Sequence, residues 1–338
     1  INETKCQANS LNRMAEISYM TGNMKNALEF AKQVLPLSQK LGDRSMEAET
    51  LSNIGGFNDE LGNSTEAIKY GEKSLEILRN IGDKKREAIA LNGLGIFYSN
   101  VGEMEKAAEC LNQALLLRRE VKDRKGEART LANLGTIFDD TGEKRKSTEF
   151  YQEALKIFAE EKDSRTEAIT RNNLGLVWRH LGQYQRALDA YQKSLELRRQ
   201  IGDKRGEAVT ISNIASIYRE LGETKQALEM SEKSLLIFRE GGFRRNEAIT
   251  LGSMSILYDE IGENRKAIES REKSFAIYTS IGDKSGQSSA LRNLGIAYFD
   301  NNETAKALEV LEKSLKLAEE INEPERIALV KLSLARYY

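Results

Sequence analysis

Residues 163–202 read DSRTEAITRNNLGLVWRHLGQYQRALDAYQKSLELRRQIG, and this stretch is one full unit of a pattern that recurs along the chain. Apolar residues stand three and four positions apart on both sides of Gly182. That spacing is typical of amphipathic helices. We therefore expect helix A over about 164–181, a tight turn at Gly182, and helix B over about 184–201.

The pattern returns every 40 residues, which is clearest in the loop GDKRGEA at 202–208. Six related loops are GDRSMEA at 42–48, GDKKREA at 82–88, KDRKGEA at 122–128, KDSRTEA at 162–168, GFRRNEA at 242–248 and GDKSGQS at 282–288. A glycine loop that binds phosphate is normally used once in a domain, so a loop present seven times indicates architecture. In this interpretation Gly202 ends one helix B and Asp203 caps the next helix A.

An internal period of this length predicts a solenoid rather than a single globular core. We expect an all-α fold and one array over residues 1–338. Its eight repeats would span about 3–42, 43–82, 83–122, 123–162, 163–202, 203–242, 243–282 and 283–322, followed by a lone helix A over 323–338. There, Ala335 would replace Gly175 and Tyr338 would replace Trp178. This helix either caps the array or is followed by further chain.

Small residues recur at two positions of the repeat. Gly182 corresponds to Gly22, Gly62, Gly102, Gly142, Gly222, Gly262 and Asn302, and glycine and asparagine best tolerate a left-handed helix end. Gly175 corresponds to Gly55, Gly95, Gly135 and Gly295, where we expect helix B to approach closely through Ala187 and its equivalents. The aromatic residues that follow are predicted to be core: Phe138, Trp178, Tyr218, Tyr258 and Tyr298.

The consensus L-x-x-[LI]-G-x-x-[YFW]-x-x-x-G-x-x-x-x-A-[LI] fits, for example, Leu131, Leu134, Gly135, Phe138 and Gly142. It resembles the tetratricopeptide repeat, with a period of 40 instead of the usual 34 residues and without the proline that normally ends helix B. This longer variety is similar to the arrays of kinesin light chain, of the adaptor LGN/Pins and of bacterial CHAT-domain proteins. The resemblance implies a right-handed α-solenoid, or superhelix, whose A helices line the concave wall.

If the A helices line that wall, one stripe of each helix faces the groove. The asparagines of the stripe are Asn53, Asn133, Asn173, Asn213 and Asn293, and its aliphatic residues include Ile169, Leu176, Val209, Ile249 and Ile256. An amide both donates and accepts hydrogen bonds, as the backbone of an extended peptide requires. The resemblance implies the same role, because asparagine at this position holds ligand backbone in peptide-binding members. The alternative is that these amides bond between neighbouring A helices and stabilise stacking.

Charged residues border this stripe at both ends of the A helices. The basic rim contains Lys85, Lys125, Arg165, Arg205 and Arg245, and the acidic edge contains Glu60, Asp140, Glu220, Glu260 and Asp300. Both sets oppose the helix macrodipole, which suggests a use. We expect the basic rim to meet acidic side chains of a ligand, and the alternative is a solvated rim.

Composition argues against other classes of function. The formal net charge of −1 is unlike that of a general nucleic-acid binder, and no apolar run approaches the roughly 18–20 residues of a membrane span. His180 is the only histidine, so we expect no metal, no cofactor and no catalytic residue. Cys6 and Cys110 are too far apart in sequence to join neighbouring elements and are read as free thiols of a cytoplasmic protein.

These observations predict a protein-interaction module that binds an extended, acidic and partly apolar segment of another protein. Two alternatives remain at this stage. The array could be the sensor or regulatory arm of a larger signalling or CHAT-type protease protein, with the effector attached or separate. It could also be a structural oligomerisation scaffold.

Overall fold

The computed structural model describes residues 2–336, and within them every regular element is an α-helix. Contacts divide the chain into two compact units, Ile1–Val177 and Trp178–Tyr338. The prediction of one array over 1–338 concerns how these units join, and it stays a prediction. Tyr338 lies outside the described residues.

The helices alternate between the two predicted types. The A helices are α1 (Asn2–Met20), α3 (Arg44–Glu60), α5 (Lys84–Asn100), α7 (Arg124–Asp140), α9 (Ser164–His180), α11 (Lys204–Glu220), α13 (Arg244–Glu260), α15 (Lys284–Asp300) and α17 (Pro324–Ala335). The B helices are α2 (Met24–Leu41), α4 (Ser64–Ile81), α6 (Met104–Glu120), α8 (Lys144–Glu160), α10 (Tyr184–Gln200), α12 (Thr224–Glu240), α14 (Asn264–Ser280) and α16 (Thr304–Glu320). The helices expected over 164–181 and 184–201 each end one residue earlier than predicted.

The turn between helices A and B has the predicted backbone. Gly182 has a φ of 68° and Asn302, its counterpart in the last repeat, has a φ of 62°. The Gly182 amide donates to the Arg179 carbonyl at 2.9 Å, and the Gln183 amide donates to the Trp178 carbonyl at 2.8 Å. These bonds satisfy carbonyls that a helix end leaves without partners. The left-handed residue thus ends helix A and reverses the chain direction.

The loop before six of the A helices provides an aspartate N-cap, whereas Phe243 before α13 and Glu323 before α17 form no side-chain cap bond. In GDKRGEA, the Asp203 carboxylate accepts a hydrogen bond from the Gly206 amide at 3.0 Å. Equivalent caps are formed by Asp43, Asp83, Asp123, Asp163 and Asp283. Each such cap is worth about 1 kcal/mol. Because the cap recurs, we conclude that this loop has a structural role: it ends one repeat and begins the next.

Helix B packs against the small residue in the middle of helix A. A β-carbon at Gly95 would lie 3.2 Å from the Ala107 carbonyl oxygen and 2.6 Å from Leu111 Cγ. The first distance confirms the expected approach at the alanine of helix B. The second shows a further contact one turn later, where Tyr151 packs on Gly135 in the same way. Gly95 and Gly295 therefore each accommodate two residues of helix B, and Gly135 accommodates the ring of Tyr151.

A buried glutamate joins each of several B helices to the next A helix. Glu207 is 5% exposed and accepts hydrogen bonds from Arg199 Nε at 2.8 Å and from Lys204 Nζ at 3.0 Å. Burial opposes ionisation of Glu207, but these two cations outweigh burial and lower its pKa. The same clamp joins Arg79 to Glu87, Arg119 to Glu127 and Arg239 to Glu247.

The aromatic residues predicted to be core need a correction. Phe138, Trp178, Tyr218, Tyr258 and Tyr298 are all half-buried rather than buried. Tyr298 directs its hydroxyl outward and donates to Glu272 at 2.8 Å, while Lys306 lies 5.5 Å from its ring centroid. Their rings pack on the core while their edges stay near water, because the polar tip of tyrosine favours solvent or a charged partner.

Candidate functional site

The predicted stripe of groove residues lies on the outward face of the A helices. In α9, the apolar core contains Ala168 and Leu174, which are buried, whereas Ile169 is 45% exposed and Leu176 is half-buried. In α13, Ile249 is 51% exposed and Ile256 is 39% exposed. Val209 in α11 is half-buried. These three A helices thus bury one apolar face and leave aliphatic side chains partly uncovered on a second face.

Two asparagines of the first unit make bonds within the repeats. The Asn133 amide donates to Asn92 Oδ1 of the preceding A helix at 3.1 Å. The Asn173 side chain hydrogen-bonds the buried Tyr151 hydroxyl. Burial raises the pKa of Tyr151 to about 12, although the bonds from Thr136 and Asn173 act in the opposite direction. The Asn133 contact supports the stacking interpretation, whereas Asn173 bonds to helix B of the preceding repeat. Each amide has further donor or acceptor capacity.

Asn53 differs from these two, because its side chain is exposed on α3. It borders a cleft of about 400 Å³ between α1 and α3. Three carboxylates also line that cleft, those of Glu16, Glu49 and Glu60, and the lining residues include no lysine or arginine. The cleft therefore has an acidic lining, in which Glu49 also pairs with Arg86 at 3.4 Å.

Two clefts in the second unit bring together several of the predicted residues. The first, of about 330 Å³, lies between α11 and α13 and contains Asn213, Ile249 and Ile256. The second, of about 250 Å³, lies between α13 and α15 and contains Ile249, Ile256 and Asn293. Because they share Ile249, Ser253 and Ile256, we treat them as one feature, the second-unit groove. The predicted Val209 and Arg205 do not line it.

The basic rim is only partly available to a ligand. Arg245 Nε lies 3.1 Å from the carboxylate of Asp283, the N-cap of the next A helix. Within residues 2–336, no ion pair is formed by the other four rim residues, and all four are exposed: Lys85, Lys125, Arg165 and Arg205. The rim thus contains four solvent-facing cations and one that stabilises the repeat.

The acidic edge of the second unit is largely neutralised by arginines. Arg219 Nε lies 2.7 Å from Glu260 Oε1, and Arg179 Nε lies 3.6 Å from Glu220 Oε1. Each arginine belongs to the A helix before that of its partner. In the first unit, burial and then the neighbouring Asp139 raise the pKa of Asp140. His180, the exception at this edge, is exposed.

Some residues of the second-unit groove were missed from the sequence because they lie on B helices. Ser231 of α12 lines the first cleft, and Arg271 and Ser274 of α14 line the second. The consensus assigns helix B to the outer layer, so its residues were not considered. One signal was present: Arg271 occupies the position held by Leu111, Tyr151 and Leu311 in other repeats.

The remaining chemistry of the described residues is limited. Among them, no group of three or more histidine, cysteine, aspartate or glutamate side chains could hold a metal ion. No helix in this part of the chain is both long enough and apolar enough to cross a bilayer. Cys6 and Cys110 are free thiols, and burial raises the pKa of Cys110.

Comparison with known proteins identifies the repeat. The tetratricopeptide repeat model matches residues 6–80, 86–160, 166–240, 207–280 and 248–320. No curated protein sequence matches the chain at a significant level. Many solved structures are similar in fold, and those named here are at most 16% identical in sequence.

Three structures illustrate this similarity. The apo quorum sensor NprR from B. thuringiensis has a TM-score of 0.69 and 15% identity, covering 92% of this chain and 87% of its own. A signal transduction ATPase with numerous domains and a tetratricopeptide repeat sensor, from Pyrococcus horikoshii, has a TM-score of 0.68 and 16% identity, covering 96% of this chain and 55% of its own. Apo RapI has a TM-score of 0.62 and 15% identity, covering 82% of this chain and 99% of its own.

The family model covers most of the sequence, and the helices follow its alternation of A and B elements. These repeats form a protein-interaction module, and the predicted all-α solenoid is confirmed. The chain belongs to the tetratricopeptide repeat family.

Proposed function

We propose that this chain binds an extended segment of another protein in the second-unit groove. The observation that carries the proposal is the continuity of the two clefts along α11, α13 and α15, which share Ile249, Ser253 and Ile256. A strip that crosses three parallel elements suits an extended chain better than a compact ligand. The α11–α13 cleft is lined mainly by polar and charged side chains, and the α13–α15 cleft has a larger apolar share, so the strip offers both hydrogen-bonding groups and apolar surface.

Each class of lining residue has a distinct role in this proposal. Asn213 and Asn293 stand at the ends of the strip and would bond to the peptide backbone through their amides. Ile249 and Ile256 lie between them and would bury apolar side chains of the peptide. Removing exposed aliphatic side chains from water is favourable by about 25 cal/mol per Å² of apolar surface buried.

The stripe of the first unit would extend the same function. It contributes Asn53, Asn133, Asn173, Ile169 and Leu176, bordered by Lys85, Lys125 and Arg165. Asn133 and Asn173 already bond within the repeats, so we propose that they hold the groove in shape and that Asn53 is the amide most available to a ligand. The proposal for the second unit does not depend on this part.

The test is selection of peptides from a phage-displayed library of random linear sequences on the immobilised chain. Selected peptides are then measured by fluorescence anisotropy against the wild type and the variant I249E/I256E. We expect the variant to lose at least tenfold in affinity, because two buried carboxylates would replace apolar contacts. The control variant is L236E, which places a charge on α12 at a side chain that is 57% exposed.

The control should keep wild-type affinity, since Leu236 does not line the groove. Circular dichroism must show the same helix content for all three proteins. Peptides that bind I249E/I256E and the wild type equally would refute the groove proposal. A library that yields no binder to the wild type would count against it as well.

A second proposal is that the repeats are the sensor part of a signalling protein. It is supported by structural similarity to a quorum sensor and to a tetratricopeptide repeat sensor, although at this identity the similarity establishes only the fold. A sensor must change state when its ligand binds. Small-angle scattering with and without a selected peptide tests this, and an unchanged radius of gyration would argue against it. We also propose a cytoplasmic location, which the two free thiols support.

A further inference from the structure

Arg271 is the exceptional residue at its position in the repeat. The corresponding residues of the other B helices are Ala31, Gly71, Leu111, Tyr151, Tyr191, Ser231 and Leu311. Where these are large, they fill the space over a glycine of helix A, as Leu311 does over Gly295. Arg271 is 9% exposed, and burying a guanidinium costs free energy that a leucine would not. Packing alone therefore does not account for an arginine here.

The hydrogen bonds of Arg271 leave one of its three guanidinium nitrogen atoms, Nε, without a partner. Nη1 donates to Asp259 Oδ1 at 3.3 Å, and Nη2 donates to Asp259 Oδ2. Nε is buried and has no partner among the described residues. A guanidinium carries five N–H donors in a fixed plane, so its Nε side can donate to a second carboxylate while the Nη end donates to the first.

The cleft between α13 and α15 reaches down to this arginine because α13 lacks a side chain at Gly252. The nearest atom to a β-carbon there would be Ser274 Oγ of α14, at 4.0 Å. Other A helices carry Asn92, Asn172, Ser212 or Arg292 at this position. The cleft of about 250 Å³ equals the liquid volume of about eight water molecules, which is room for an amino-acid side chain.

The ion pairs of the groove leave the Nε donor of Arg271 as the feature that selects a ligand. Arg179 pairs with Glu220, and Arg219 pairs with Glu260. Arg271 uses its Nη atoms for Asp259, and its buried Nε keeps an N–H group that needs an acceptor. A carboxylate is the strongest acceptor that a peptide side chain can offer to a guanidinium.

We propose that the α13–α15 cleft is a subsite for an aspartate or glutamate side chain of the bound segment, with Arg271 as its specificity residue. The carboxylate accepts from Arg271 Nε at the floor of the cleft. The methylene carbons of the ligand side chain lie between Ile249 and Ile256, and its backbone lies at Asn293. This inference rests on the proposed peptide-binding function. It differs from the expectation drawn from the sequence, in which the exposed basic rim contacts the acidic side chains of the ligand.

The test compares the peptides selected by the wild type with those selected by R271M. Methionine keeps the length of the side chain without its charge, and R271L, which copies Leu311, is the second variant if R271M does not fold. We expect the wild type to enrich an acidic residue at one peptide position and the variant to lose that enrichment while it keeps the apolar preference. Replacing the acidic residue of a selected peptide by its amide should weaken binding to the wild type at least tenfold, and binding to the variant less than twofold.

The matched control is the rim variant R205S/R245S. Loss of the acidic preference in this variant, with retention in R271M, would assign recognition to the rim and overturn the role of Arg271. Selected peptides that depend on Ile249 and Ile256 but show no acidic preference would overturn this inference and leave the proposed function intact. Absence of any peptide that depends on those isoleucines would overturn both.

Discussion

Gly206 lies directly against the guanidinium of Arg198, so closely that a β-carbon on the glycine would overlap Nη1. The same pairing occurs between Gly126 and Arg118 and between Gly286 and Tyr278. In the other repeats this position of helix A holds larger residues, and the helix-B residue is never arginine or tyrosine. The second glycine of GDKRGEA therefore makes room for the Arg198 side chain of the preceding helix and for the carboxylate of the N-cap Asp203, so packing accounts for a glycine at this position.

The first prediction tests this packing by a double-mutant cycle. G206A should lower the free energy of unfolding by about 1–3 kcal/mol, since Arg198 is buried and cannot move aside without strain. In the R198L background, the same change should cost less than in the wild type, because only the Asp203 carboxylate, whose Oδ2 lies against the β-carbon position, would still have to shift. Urea denaturation followed by circular dichroism measures both. Equal effects in the two backgrounds would show that the residues are not coupled.

The second prediction concerns the close approach of helix B at Gly135. A β-carbon there would lie 2.7 Å from Tyr151 Cδ1, and Tyr151 is 2% exposed. We expect overpacking in G135A to lower the free energy of unfolding by about 1–3 kcal/mol. The thermal midpoint should fall accordingly. Gly56 is the control, since no atom lies within 4 Å of the corresponding position. G56A should leave the midpoint unchanged or raise it, and a similar loss in both variants would contradict this interpretation.

The third prediction tests the buried clamp at Glu207 and its dependence on pH. E207Q removes a carboxylate that accepts from Arg199 and Lys204, and it should cost about 1.5–3 kcal/mol at pH 7. The folded pKa is lowered, so the stabilisation is complete above the unfolded value of about 4.3 and is lost as pH falls through the folded pKa. The difference between wild type and variant should therefore shrink below about pH 4.3.

The control for this experiment is E232Q, which changes an exposed glutamate of α12. Its urea midpoint should follow that of the wild type across the pH range, within about 0.5 kcal/mol. A gap between wild type and E207Q that stays constant down to acid unfolding would mean that ionisation of Glu207 contributes nothing.

The repeat pattern predicted the helices, turns and caps because each depends on local residue types that recur in phase. The roles of Gly182 and Asp203 can be predicted from their residue types, because a left-handed turn favours glycine and an N-cap favours aspartate. The pairs between helices were harder, because they depend on the sizes and charges of individual side chains. The ion pair between Arg199 and Glu207 could have been predicted from the sequence. In the repeat where the arginine is replaced by Thr279, the glutamate is replaced by Gln287.

The candidate site was predicted in part for the same reason. The stripe of A-helix residues follows from helix geometry, and the structure places Asn213, Ile249, Ile256 and Asn293 around connected clefts. The depth of those clefts depends on single departures from the repeat, such as Gly252 and Arg271. A consensus averages over repeats and so removes the differences that create specificity.

The last prediction separates the two roles considered for the asparagines. Asn133 donates to Asn92 at 3.1 Å across adjacent A helices, so N133A should lower the free energy of unfolding by about 0.5–1.5 kcal/mol. Asn53 is exposed at the edge of a cleft, so N53A should change stability by less than about 0.5 kcal/mol. Urea denaturation of both variants gives the comparison. Stability losses of equal size would assign a stacking role to the whole asparagine set, whereas no loss in N133A would remove the structural support for stacking and leave ligand contact as the reason for an asparagine at that position.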